Sequence, residues 1–230
     1  MILFEVYSLG RKFYRFCRGI ARIFTGRMKT EWEEPFVEGP CVFAVNHDGA
    51  NGPILMCTEF PLRDQCHPWI NAPVFDRKAM PEYVRNDFWW KPGCFGEPVI
   101  KRVVPRVASW IIPPLMKGAD GVPIYRDQRI MTTFRESVKL LKQGEKLVIF
   151  ADGIDENGEY KNEIHSGWLA LGELFYKSAG QALRIYPVHV CKQERCFYVS
   201  KPVFYDPSRR FRDQEQELAA KIAPGLGKTR

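Results

Sequence analysis

Short, continuous apolar runs and longer stretches of helical rhythm share this chain. Val42-Phe43-Ala44-Val45 is apolar and partly β-branched, which reads as a buried strand. It stops at Asn46-His47 and enters small, turn-forming residues up to Pro53. Residues 147–150 and 183–190 have the same strand character. Residues 67–75 are expected to form another strand despite Pro68 and Pro73, which are better tolerated near strand ends. Residues 196–205 read as an edge strand interrupted at Pro202. Helices are expected over 53–60, part of 76–90, 130–143, 168–177 and 213–222, with Gly144 stopping the third. Gly172, inside the fourth, points to close packing. A histidine at the carboxyl end of a core strand stands where open α/β sheets bind ligands, so His47 is the first candidate for chemistry.

Two further stretches carry a different signal. From Arg11 to Lys29 there are seven basic residues and no acidic one. At helical spacing Phe13, Phe16, Ile20, Ile23 and Phe24 share one face, while Arg11, Arg15, Arg18 and Arg22 share the opposite one. That pairing predicts a helix lying in the plane of lipid head groups and ending at Thr25-Gly26. The competing reading is an amphipathic helix covering the protein's own sheet. An acidic connector over 31–40 divides a basic membrane-associating segment, 1–35, from an α/β domain, 36–230. Residues 99–117 are also apolar, and Pro105, Pro113 and Pro114 argue against one long straight helix there. They suit either a buried helix over the sheet or one wall of a groove open to a membrane.

Composition narrows the classes. A chain of 230 residues suits one domain with a small N-terminal attachment. The net charge of +7 favours anionic partners: lipid head groups, acyl thioester carriers or nucleic acid. Seven cysteines without a Cys-x-x-Cys pair argue for a reducing compartment and against a disulfide framework. His47, His67, His165 and His189 show no metal-ligand spacing, so no metal is expected. No run of eighteen uncharged apolar residues exists, so no ordinary transmembrane helix is expected either.

Four separated segments carry a family resemblance. Asn46-His47, then Gly121-Val122-Pro123-Ile124-Tyr125-Arg126, then Phe150-Ala151-Asp152-Gly153-Ile154-Asp155, then Pro187-Val188 resemble, in order, the four blocks of glycerolipid acyltransferases of the 1-acylglycerol-3-phosphate type. In that family the first block reads Asn-His, four residues, then Asp, and here Gly52 occupies the Asp position. The second block ends in an arginine associated with the acceptor's phosphate, matched by Arg126, whose planar fork suits phosphate or carboxylate. The third commonly reads Phe-Pro-Glu-Gly-Thr-Arg. Phe150 and Gly153 are kept and Asp152 stands for Glu, but Ile154-Asp155 replace Thr-Arg. Losing that positive charge points away from lysophosphatidic acid as the acceptor. The basic segment that follows keeps Lys161 and Gly167, and Pro187 matches the fourth block, near the family's acyl-binding region. Across residues 40–190 the resemblance implies an α/β fold with a mixed, mostly parallel central sheet flanked by helices.

Acyl transfer needs a base near neutral pKa beside the attacking hydroxyl, and His47 is the strong candidate. Gly52 cannot orient its ring; Asn51, through its amide oxygen, adjacent Asp48, or a distant carboxylate such as Asp152 are the substitutes. Arg126, Asp152, Gly153, Lys161 and Pro187 are the expected substrate-binding residues. The implied cosubstrate is an acyl-CoA or acyl-carrier-protein thioester, with no permanently bound cofactor. The implied partners are a lipid acceptor and an anionic membrane surface, with peripheral attachment at the cytoplasmic face of the cell membrane. A lipid-binding protein that keeps the scaffold without turnover is the rival reading. Hydrolase chemistry is disfavoured by the lack of a Gly-x-Ser-x-Gly elbow. Nucleic-acid binding is disfavoured because the basic residues accompany apolar aromatic faces.

Overall fold

The computed structural model describes residues 2–47, 51–86, 93, 95–154 and 160–227. Its elements begin with α1 (Ile2–Thr25), β1 (Lys29–Trp32), β2 (Cys41–Val45), α2 (Asn51–Thr58), β3 (Cys66–Asn71), α3 (Met80–Asn86) and α4 (Glu97–Gly118). There follow β4 (Val122–Ile124), α5 (Ile130–Lys142), β5 (Lys146–Phe150), β6 (Asp152–Ile154) and β7 (Tyr160–Ile164). The chain continues through α6 (Ala170–Ala179), β8 (Arg184–Cys191), β9 (Cys196–Val199), β10 (Val203–Phe204) and α7 (Phe211–Ile222).

Among the described residues the main sheet runs β1-β9-β8-β2-β5-β3-β4, with β10 added beside β8. β2 pairs in parallel with both β5 and β8, β3 pairs in parallel with β5 and β4, and within this sheet only the β8–β9 and β8–β10 pairs are antiparallel. The fold is α/β, with a mixed, mostly parallel sheet flanked by helices, as the resemblance implies. β2 is buried along its whole length, which a central parallel strand requires of its sequence. Val42, Ala44, Leu147 and Ile149 pack on one face beneath Leu141 of α5, Leu171 and Phe175 of α6 and Leu218 of α7. Phe43, Val45 and Val148 pack on the other beneath Leu55 and Met56 of α2. An aromatic cluster of Trp32, Phe36, Phe43, Phe60 and Tyr186 closes that second face, with Phe43 and Phe60 edge to face at 4.9 Å. Such a ring pair contributes about 0.5–1.5 kcal/mol beyond its buried area.

The expectation for residues 99–117 needs correction. α4 is one helix of 22 residues with Pro105, Pro113 and Pro114 inside it. Each proline forgoes a helical hydrogen bond, but packing offsets the loss. Val104, Ala108, Ile112 and Met116 lie against Val74, Met80 and Val84, and Pro105 and Pro113 are themselves buried. The turn of α4 at Gly118 then meets α1: a Cβ on Gly118 would sit 2.2 Å from the carbonyl oxygen of Gly10 and 2.8 Å from Cβ of Tyr14.

α1 forms with the amphipathic pattern expected, and its apolar face points outward and does not cover the protein's own sheet. Gly10, Tyr14, Cys17, Arg18, Ala21 and Thr25 are its shielded stripe. Arg11 pairs with Asp120 at 2.8 Å, Arg18 with Asp64 at 2.6 Å and Arg22 with Glu59 at 3.0 Å. The Arg18 guanidinium holds the Asp64 carboxyl below the usual carboxylate range, so this pair's contribution is present above that range and fades as pH falls through the depressed value. Phe16, Ile23 and Phe24 face outward at 65, 78 and 83 % exposure, and Phe13 and Ile20 with them. On α4, Val99, Val103, Val107 and Trp110 are also exposed. β1, within the basic segment, pairs with β9 as part of the main sheet.

Gly118→Ala should force α1 and α4 apart, because the obstructing atoms are backbone. We expect a loss of about 1–3 kcal/mol in urea denaturation and faster proteolysis between Arg11 and Arg22. A variant as stable and as protease-resistant as the parent would contradict the close crossing.

Candidate active site

β2 and β5 lie in parallel register, Val45 opposite Phe150, so both chains leave the sheet at the same edge. His47 is two residues beyond one strand, and Asp152 two beyond the other. The Asp152 carboxylate reaches across and its Oδ2 accepts the backbone N–H of His47 at 2.8 Å. The carbonyl of the same residue accepts the backbone N–H of Gly52, in the first turn of α2, at 2.7 Å. On the other side, the Asn46 amide is clamped to β8: its Oδ1 accepts from Val190 N–H at 2.7 Å, and its Nδ2 donates to Val190 O at 3.2 Å. The Phe150 ring lies against the imidazole, with centroids 4.7 Å apart. His47 is half-buried, whereas Asn46 and Asp152 are buried.

The structure gathers part of the expected set. His47, Asp152 and the start of α2 converge at the carboxyl edge of β2 and β5. Asn51 is the first residue of α2, and its Oδ1 accepts from Lys192 Nζ at 3.0 Å. Asp48 lies outside the described residues. Gly153 pairs with Lys161 across the β6–β7 hairpin, so residues eight apart in sequence meet beside Asp152. Arg126 is exposed beyond the end of β4. β3 and β5 separate that strand from β2, which is ~14 Å at ordinary strand spacing. Pro187 is not brought to the imidazole. It is buried one strand from Ala44, where a Cβ on Gly225 would stand 2.5 Å from its own Cβ. That contact also explains Gly225, which packs against β8.

Gly52 is required for a reason sequence does not display. A Cβ there would lie 2.2 Å from the His47 carbonyl oxygen and 2.6 Å from that of Asn46. The glycine is not among the positive-φ residues. Close approach of two backbones, and not a left-handed conformation, excludes a side chain at the position where the family carries its Asp.

Sequence reasoning missed Lys192 and the contact made by Phe150. Phe150 was signalled by its retention in the third block; Lys192 directly follows the fourth-block strand, outside any motif. A cleft of about 20 Å³, room for one water, runs beneath α1 from Phe150 past Met56, Cys57 and Pro68 to Cys66, with Tyr14 over it. Burial raises the Tyr14 phenol and the Cys57 and Cys66 thiols, and pushes the Cys41 thiol up to about 12. None of these thiols is a nucleophile near neutral pH. Among the described residues no group of His, Cys, Asp or Glu is arranged to hold a metal ion.

Fold and site together define an α/β domain with a histidine held at the carboxyl rim of a mostly parallel sheet. No family model and no curated protein matches the chain. Among solved structures, the 1-acyl-sn-glycerophosphate (LPA) acyltransferase PlsC from Thermotoga maritima is similar at 13% identity over 97% of this chain and 80% of its own, with a TM-score of 0.46.

Gly52→Ala is expected to lower stability by about 1–3 kcal/mol, with Gly52→Asp at least as damaging. Chemical denaturation of both variants measures this. A stable Gly52→Asp protein would show that α2 can withdraw from His47.

Proposed function

We propose that the protein is an O-acyltransferase acting at a membrane surface. It transfers a fatty acyl group from a coenzyme A or acyl-carrier-protein thioester to a hydroxyl of a lysophospholipid or related lipid. The observation that carries this reading is His47, a half-buried residue at the sheet rim whose backbone N–H and carbonyl are both fixed by hydrogen bonds. Neutral His47 takes the acceptor's proton as the hydroxyl oxygen attacks the thioester carbonyl. The carbon–oxygen bond forms, the carbon–sulfur bond breaks, and the imidazolium returns the proton to the leaving thiolate. Asp152 holds the peptide that carries the base, and Asn51 bounds the site on the side of β8. A small apolar cleft begins at Phe150, which lies against the imidazole, and Tyr14 must give way for an acyl chain to use it.

The four-block resemblance supports the same chemistry, with Arg126 and the Gly153–Lys161 hairpin as acceptor contacts. The alternative, a lipid-binding protein without turnover, draws on Gly52, which leaves no carboxylate at the family's orienting position. His47→Ala should cut acyl transfer by roughly 10²–10⁴-fold with the fold intact, followed by lipid mass spectrometry of membranes from expressing cells. Parent-level transfer by His47→Ala would end this mechanism, and a parent without transfer would favour the lipid-binding reading.

The proposal includes peripheral attachment at the cytoplasmic face of the membrane; the outward apolar faces of α1 and α4, flanked by Lys12, Arg15 and Arg102, support membrane contact. No described helix is long and apolar enough to cross a membrane. Because Arg11, Arg18 and Arg22 are engaged by the protein's own acids, apolar insertion contributes more than head-group pairing. Ile23→Asp with Phe24→Asp should reduce vesicle co-sedimentation about tenfold or more, on acidic and neutral lipid alike. Unchanged binding would refute the apolar seat.

A further inference from the structure

Four basic residues that no motif assigns line the sheet rim on the side of His47 away from Asp152. Lys192 follows β8 and donates to Asn51 Oδ1 at 3.0 Å, beside the start of α2. Arg195 ends the same turn with φ 53°, a conformation uncommon for a side-chain-bearing residue. Its guanidinium crosses Gly26, where a Cβ would lie 2.3 Å from Nη2, and its carbonyl accepts the Lys29 N–H at 2.8 Å. Arg27 and Lys29 therefore sit beside it, at the exit of α1 and the start of β1. All four are exposed, and none is in an ion pair among the described residues. Among the described residues the acids nearby are Glu194, which accepts from the Tyr198 hydroxyl, and Glu31, so the cluster keeps a positive balance there.

We propose that this rim holds the phosphate end of the thioester donor, with Lys192 nearest the reacting carbonyl and Arg195, Arg27 and Lys29 around the phosphate. The inference rests on the acyl-transfer reading and adds the donor's subsite to it. Geometry favours the donor over the acceptor. From β2 the rim passes β8 and β9 to β1, three strand spacings or ~14 Å. A pantetheine arm has roughly the contour of four extended residues, also ~14 Å, so a thioester at His47 brings its phosphate to β1. A glycerol phosphate is far shorter. It also has the Gly153–Lys161 hairpin beside Asp152 on the opposite side, so donor and acceptor meet at His47 from two directions.

Coenzyme A and a carrier protein present the same phosphorylated arm, and direct binding separates them without turnover. Purified wild type, Lys192→Gln, Lys192→Arg and Lys192→Glu/Arg195→Glu are titrated by calorimetry with coenzyme A, 4′-phosphopantetheine and holo-acyl carrier protein, at low and high salt. We expect the double variant to lose about tenfold or more in affinity, Lys192→Gln to lose less, and Lys192→Arg to stay near wild type. Salt should weaken wild-type binding more than variant binding. Binding of coenzyme A and the free arm supports a coenzyme A donor, while binding of holo-carrier alone supports the carrier. Equal affinity in wild type and Lys192→Gln, Lys192 being exposed and tolerant of that change, overturns the subsite, as does wild type that binds none of the three. Loss of vesicle binding without loss of donor affinity also overturns it and assigns the rim to lipid head groups. The His47→Ala transfer assay is independent of all these outcomes, so acyl transfer can stand while the subsite fails.

Discussion

The site depends on one residue whose backbone is held on both sides. The N–H of His47 is fixed by a carboxylate from beyond β5, and its carbonyl by the backbone of α2. A hydrogen bond to a charged partner contributes about 1.5–3 kcal/mol, more than a neutral one. Its placement matters more than its size. Both anchors act on the backbone, and the Phe150 ring lies against the imidazole they present. The register of Val45 against Phe150, the clamp of Asn46 on Val190 and the bare α-carbon of Gly52 are all conditions of that arrangement.

The rim is also electrically polar across the histidine. Asp152 stands on the side of β5 and Lys192 on the side of β8, with β2 between them. A parallel sheet makes this possible because neighbouring strands deliver their chain exits to one edge. Groups from residues 47, 152 and 192 come together there although they are far apart along the chain.

Much of the sheet was legible because a strand buried on both faces must be continuously apolar, as residues 42–45 and 147–150 are. His47 was legible as the point where that run ends. Gly172 was legible as a close contact, and its Cβ would meet Tyr205 at 2.8 Å. α4 was misjudged because proline's penalty is local, while the packing that outweighs it is tertiary. The seating of α1 was hidden for a different reason. Periodicity separates two faces of a helix but does not say which one meets the protein, and the answer lay in Asp120, Asp64 and Glu59, distant acids with no pattern of their own. β1, Lys-Thr-Glu-Trp, is short and polar at an edge, so no apolar run marked it. Gly52 left no periodic trace, since a close approach is a property of two segments at once.

The position of β2 at the centre of the sheet has a consequence in time. Its two ladders are made with strands that begin at Lys146 and Arg184, more than a hundred residues further along the chain. During synthesis this continuously apolar strand therefore emerges long before either partner exists. Non-local pairing of this kind slows folding, and an unpaired apolar strand is a template for aggregation until it is covered. Residues 41–47, which lead to the candidate site, are thus a stretch that gains from protection by a chaperone until residues 146–191 have been made.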